Sequence, residues 1–160
     1  MTEIALGNGD NAVATARTPS SLSTLAATYP ASRLLVLPLD VTRPAQIAAA
    51  FAAATARFGR VDVVANNAGV GAFGEVEAAC EADARAVFDT NFWGAAGVAR
   101  EAVRVFREAN AAAGGAGGLL LQMSSRAAVQ GLPGAAYYAA SKFGECAEDV
   151  CGTTHLRRAD

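Results

Sequence analysis

Residues 34–65 read LLVLPLDVTRPAQIAAAFAAATARFGRVDVVA, and their hydrophobic spacing changes twice within that stretch. Leu34-Leu35-Val36-Leu37 is a continuous apolar run after Pro30, the pattern of a strand covered on both faces. From Thr42 to Gly59 the apolar positions Ile47, Phe51, Ala54 and Phe58 recur at intervals of four, three and four. Pro44 sits in the first turn, where a missing N–H has no intrahelical partner to lose, and Gly59 falls just past the end. This spacing predicts an amphipathic helix. Val61 to Ala65 then returns to a short apolar run that reads as the next strand. Strand, helix and strand in this order are the repeating unit of a parallel α/β sheet.

The same alternation extends outward on both sides. Ala12-Val13-Ala14-Thr15-Ala16 follows the turn residues Gly7-Asn8-Gly9-Asp10 and reads as a buried strand. Asn66-Asn67-Ala68-Gly69 closes the strand begun at Val61 with residues that tolerate turn geometry. Phe88, Phe92, Val98, Ala102, Val105 and Phe106 mark a long helix expected over Asp83 to Ala112, with Gly94 and Gly97 expected to permit close packing on the sheet. Ala113 to Gly118 is a glycine-rich turn, Leu119 to Met123 a fourth strand, and a last helix is expected from about Ala136 to Gly152. Thr153 to Asp160 carries no apolar stripe. No internal repeat interrupts the pattern, and 160 residues make a single domain, 1–160, the expectation.

Composition narrows the function. The chain is 52% hydrophobic and 18% charged, which is globular rather than disordered. Net charge is −2 with the arginines scattered, so no footprint for nucleic acid is visible. No apolar stretch reaches the roughly 18 residues of a membrane helix. Met1 to Asp10 lacks the basic start and apolar run of a leader, so a soluble cytoplasmic protein with no membrane partner is expected. Cys80, Cys146 and Cys151 are odd in number and have only His155 to join them, so reduced thiols and no metal site are expected.

Tyr138 and Lys142 are four apart in the last helix and therefore project from one face, one turn from each other. A phenol with a reference pKa of about 10 is a poor base near neutrality, but a neighbouring ammonium favours the phenolate. Such a phenol can exchange a proton with an alcohol or carbonyl oxygen. Ser125 ends the strand thirteen residues before Tyr138, where α/β sheets bind ligands beyond the carboxyl ends of their strands. Each signal has an ordinary reading as well: a Tyr-Lys pair arises by chance on helices, and Ser-Ser after a strand is commonly a cap.

Taken in order, Ala14-Thr15-Ala16-Arg17, Leu39-Asp40-Val41, Asn66-Asn67-Ala68-Gly69, Asn91, Ser124-Ser125 and Tyr138-Ala139-Ala140-Ser141-Lys142 resemble the short-chain dehydrogenase/reductase family, from about Glu3 to Glu145. The resemblance implies a Rossmann-like, doubly wound parallel sheet and hydride transfer between NADP(H) and a small-molecule carbonyl or alcohol substrate. It implies that Tyr138 is the general acid/base, that Lys142 lowers its pKa and holds the nicotinamide ribose, and that Ser125 orients the carbonyl. Asn91 completes a proton relay through a bound water, its plain alternative being a polar residue at a helix kink. The resemblance further implies that Asp40 and Val41 line the adenine pocket, and that Asn66, Asn67, Ala68 and Gly69 support the central strand and contact the cofactor. Asp40 reads locally as a strand-end residue too. Arg17 resembles the basic residue that meets a ribose 2′-phosphate, favouring NADP(H) over NAD(H), with a solvated surface arginine as its alternative.

The resemblance also implies a first strand and a glycine-rich T-G-x-x-x-G-x-G turn that do not occur here, while Thr2-Glu3-Ile4-Ala5-Leu6 resembles the helix that follows that turn. The family's later strands and substrate loop do not follow Glu145 either. The expected fold is therefore strands 2 to 5 of the family's order, truncated at both ends. The two strand pairs then either close directly on each other or keep unpaired inner edges. Phe73, Trp93 and Leu132 are candidate walls of a substrate pocket, ordinary packing being their alternative. A second functional reading is a non-catalytic remnant or interaction protein unable to bind the dinucleotide, and a third is a nucleotide-sensing regulator. A homo-oligomer is plausible for a complete chain.

Overall fold

The computed structural model describes residues 1–114 and 117–153, with side chains as far as residue 145. The elements follow in the order α1 (Thr2–Gly7), β1 (Ala12–Ala16), α2 (Ser23–Thr28), β2 (Leu34–Pro38), α3 (Pro44–Phe58), β3 (Val63–Asn66), α4 (Glu81–Phe88), α5 (Ala95–Arg107), α6 (Ala109–Ala112), β4 (Leu119–Gln122) and α7 (Ala136–Thr153). The four expected strands all form. Pro44 opens α3, and Gly59 caps it with φ of 83° while its N–H donates to Thr55 O at 2.8 Å.

The strands make two parallel pairs. Ala12 to Ala16 register with Leu34 to Pro38, and Val63 to Asn66 with Leu119 to Gln122. Among the described residues no ladder joins β1 to β3, so the inner edges stay unpaired. What joins the halves is helix packing. α3 packs on both β2 and α5, and Val41, Ile47 and Phe51 share a core with Val98, Ala102, Val105 and Phe106. A second, smaller core gathers Leu6, Ala14 and Leu34, with Leu25 and Tyr29 against it.

Three departures from the sequence reading have physical causes. The long helix begins at Glu81 and is not uniform: a π-helical turn over Asp89–Gly94 separates α4 from α5, and the chain bends again at Glu108. Gly94 and Gly97 serve helix and loop packing rather than sheet packing. A Cβ on Gly94 would lie 2.7 Å from Val41 Cγ2, and one on Gly97 would lie 3.0 Å from Ile47 Cδ1. The third strand starts at Val63 rather than Val61 because Asn110 binds the Val61 backbone. Val61 N donates to Asn110 Oδ1 at 3.0 Å, and Asn110 Nδ2 donates to Val61 O at 2.6 Å. α2 has no expectation behind it: its six residues, STLAAT, are too short to show a helical period. The glycine-rich turn expected over 113–118 includes 115–116, which lie outside the described residues, as do 154–160.

Candidate active site

All candidate residues sit at or beyond the carboxyl ends of the strands, where parallel sheets place ligands. At the β3–β4 end lies an open cleft of about 280 Å³ lined by Asn67, Gly69, Val70, Gly71, Phe73, Met123, Ser124, Tyr138 and Lys142. Ligand sites begin at roughly 300 Å³, so the walls present make a small site.

α7 brings Tyr138 and Lys142 into the cleft together, as the spacing of four requires. Lys142 Nζ donates to Met123 O at 2.9 Å and to Glu145 Oε2 at 2.5 Å, so its partners lie at the end of β4 and one turn along α7 rather than at Tyr138. Gly69 lies against both groups: a Cβ there would stand in ordinary contact, 3.4 Å from Asn91 Oδ1 and 3.7 Å from Lys142 Nζ. Ser124 lines the cleft, whereas Ser125 caps the 3-10 turn Arg126–Ala128, its Oγ accepting from Ala127 N at 3.1 Å. That turn packs directly on α7, and Ser125 itself is not among the residues that line the cleft.

Asn91 lies in the π-helical turn and is wholly buried. Its Oδ1 accepts from Val70 N at 2.8 Å, and its Nδ2 donates to Val70 O at 2.8 Å and to Ser141 Oγ at 3.0 Å. Ser141 Oγ donates to Tyr138 O at 2.8 Å. The amide thus ties the turn after Asn66 to the helix that carries Tyr138 and Lys142. Asn66 is buried as well, its Nδ2 donating to Ala95 O at 3.0 Å and Gln122 Oε1 at 2.8 Å, while Asn67 and Gly69 face the cleft. Ala68 is exposed beside them.

Arg17 and Asp40 leave the other strand pair side by side, since Leu39 N donates to Ala16 O at 3.0 Å just before them. Asp40 Oδ1 accepts from both Thr42 N at 3.0 Å and Thr42 Oγ1 at 2.7 Å. The Thr42 hydroxyl and N–H hold the Asp40 carboxyl below the usual range, and the Arg43 and Arg17 guanidinium groups add to this. Val41 points into the core at 9% exposure, so only its backbone is presented outward.

Of the three candidate pocket walls, Phe73 lines the cleft. The residue is 75% exposed, and its ring centroid lies 5.8 Å from that of Tyr138. Trp93 packs edge-on against Phe92 at 4.7 Å, and neither Trp93 nor Leu132 is a lining residue. Sequence reasoning missed Glu145 and Ser141. Glu145 is three residues after Lys142, a same-face spacing that reveals the pair once it is looked for. Ser141 gives no such signal. Cys80 is exposed, and among the described residues no group of three or more His, Cys, Asp or Glu is placed to hold a metal. The side chains of Cys146 and Cys151, and His155, lie outside the described residues. No helix among the described residues is long and apolar enough to cross a membrane.

The parallel α/β frame with a Tyr-x-x-x-Lys pair at its strand ends has counterparts among known proteins. The family described as short chain dehydrogenase matches residues 2–147. An oxidoreductase of Penicillium decumbens, calM, is 43% identical over 138 residues, covering 84% of this chain and 44% of the relative. An uncharacterised oxidoreductase of Schizosaccharomyces pombe is 38% identical over 143 residues, covering 89% of this chain and 46% of the relative. A solved short-chain dehydrogenase from Streptomyces avermitilis superimposes with a TM-score of 0.81 at 32% identity, over 93% of this chain and 53% of that one. The chain belongs to the short-chain dehydrogenase family. It spans about half the length of the curated relatives it matches.

Proposed function

We propose that this chain carries the catalytic residues of an oxidoreductase that moves hydride between NADP(H) and a carbonyl or alcohol. The reading is supported above all by one observation: Asn67, Gly69, Ser124, Tyr138 and Lys142 converge on a single cleft at the strand ends. Those groups suit a nicotinamide ribose, offering hydroxyl, amide and ammonium partners around an open space. Bound there, the dinucleotide supplies or accepts the hydride.

The chain's own residues do the rest. Tyr138 passes a proton to or from the substrate oxygen. Lys142 holds the ribose, Ser125 orients the reacting carbonyl, and Asn91 supports the proton relay by fixing the turn above Lys142. Asn66 holds the strand end in register, Asn67, Ala68 and Gly69 face the cofactor, and Asp40 with the Val41 backbone borders the adenine. Arg17, exposed at the end of β1, meets the 2′-phosphate and so favours NADP(H) over NAD(H).

Titrating the chain with NADPH tests the assignment: saturable micromolar binding is expected, and a folded chain that binds none favours a non-catalytic remnant. In a form that turns over, Tyr138→Phe lowers kcat by about 100-fold or more, the scale of a lost general acid. Unchanged turnover defeats the role of the phenol.

A further inference from the structure

Lys142 is the single lysine of the sequence, and its ammonium is held in a way the reaction itself does not require. Its side chain is 6% exposed and that of Glu145 2%, with Nζ and Oε2 2.5 Å apart. An ammonium has three N–H donors. Here one goes to Glu145 Oε2 and one to Met123 O at 2.9 Å. That leaves one for whatever occupies the cleft, which Lys142 lines.

We propose that Glu145 is a positioning residue: it anchors the Lys142 ammonium from beneath, so that the remaining donor points into the cleft at a ligand hydroxyl. A four-carbon stem is flexible, and a lone ammonium withdrawn from water is costly, so an unanchored Lys142 turns toward solvent. Two fixed acceptors remove that freedom. Met123 O sets the height of Nζ at the end of β4, and the Glu145 carboxylate, three residues along the same helix, sets its rotation. No other acid does this among the described residues. On the elements packed against α7, Glu81, Asp83 and Asp89 are exposed, and Glu101 is bound to Arg104 at 2.6 Å. The ligand-directed half of this inference rests on the oxidoreductase reading, whereas the anchoring does not.

A chain labelled with ¹⁵N-lysine gives one side-chain ammonium signal, which makes the test direct. In the wild-type chain, hydrogen exchange of that ammonium is expected to be at least tenfold slower than for free lysine under the same conditions. Glu145→Gln, which keeps the shape and removes the charge, is expected to speed it at least fivefold and to raise the Kd for NADPH at least fivefold, with the fold checked by far-UV circular dichroism. Wild-type exchange as fast as free lysine overturns the proposal even if the variant does not fold. A folded Glu145→Gln chain with wild-type exchange, or with wild-type NADPH affinity, also overturns it. A wild-type chain that protects its ammonium yet binds no NADPH supports the anchor and overturns the oxidoreductase reading instead.

Discussion

Asn91→Ala tests whether the site is held by hydrogen bonds or by packing. The Asn91 amide makes three bonds, two with the Val70 backbone at 2.8 Å and one with Ser141 Oγ at 3.0 Å, from a position with 0% exposure. Alanine leaves Val70 N and Val70 O without those partners, while Ser141 Oγ keeps its bond to Tyr138 O. A polar group left unsatisfied costs about 1–3 kcal/mol. Val70 is half-buried, so water recovers part of the loss, and the two groups together should amount to about 1–4 kcal/mol. Urea unfolding followed by circular dichroism measures this as a lower midpoint at unchanged slope. Asn91→Asp adds a control: it keeps an acceptor for Val70 N but sets a second oxygen against Val70 O, so it should also destabilise, by about 1 kcal/mol or more. A loss below about 0.5 kcal/mol in Asn91→Ala would refute the clamp, and the turn over Asn67–Gly69 would then need another support.

Three further outcomes follow from single contacts. Gly59→Ala puts a Cβ at a φ of 83° and should destabilise by about 1–2 kcal/mol in thermal or urea unfolding; no change would mean that the end of α3 rearranges freely. The lowered Asp40 carboxyl contributes stability that is present above the ordinary aspartate pKa of about 3.9 and is lost as pH falls through its folded value. Asp40→Asn should therefore flatten the acid limb of the stability curve below about pH 4, and an identical limb would contradict the Thr42 bonds. Arg17→Glu should lower the ratio of NADPH to NADH affinity at least tenfold, and an unchanged ratio would return Arg17 to the solvated surface.

The order of strands and helices was legible because each has its own hydrophobic period, and α3 shows this best, with Pro44 and Gly59 marking its ends as written. The meeting of Tyr138 and Lys142 in one cleft followed from their spacing on α7. What stayed hidden depends on partners far away in sequence. Nothing near Val61 announces that Asn110 will take its backbone, and no local pattern marks the π-helical turn at Asp89–Gly94. The commitment of the Asn91 amide to Val70 and Ser141 is equally non-local, with separations of 21 and 50 residues. The Lys142–Glu145 pair is the opposite case, a local i,i+3 spacing on α7 that the sequence carries openly.

Among the described residues no ladder joins β1 to β3, and this gives the two strands an alternating signature in amide exchange. Ala12 N bonds Arg33 O and Ala16 O receives Leu39 N, so the even residues of β1 face β2, and Val13 and Thr15 turn their N–H and C=O groups the other way. On β3 the carbonyls of Asp62 and Asn66 serve β4, which leaves Val63 and Ala65 facing outward. Deuterium should therefore enter at Val13, Thr15, Val63 and Ala65 far sooner than at Ala14, a sawtooth along single strands that only filling the space between the two pairs would erase.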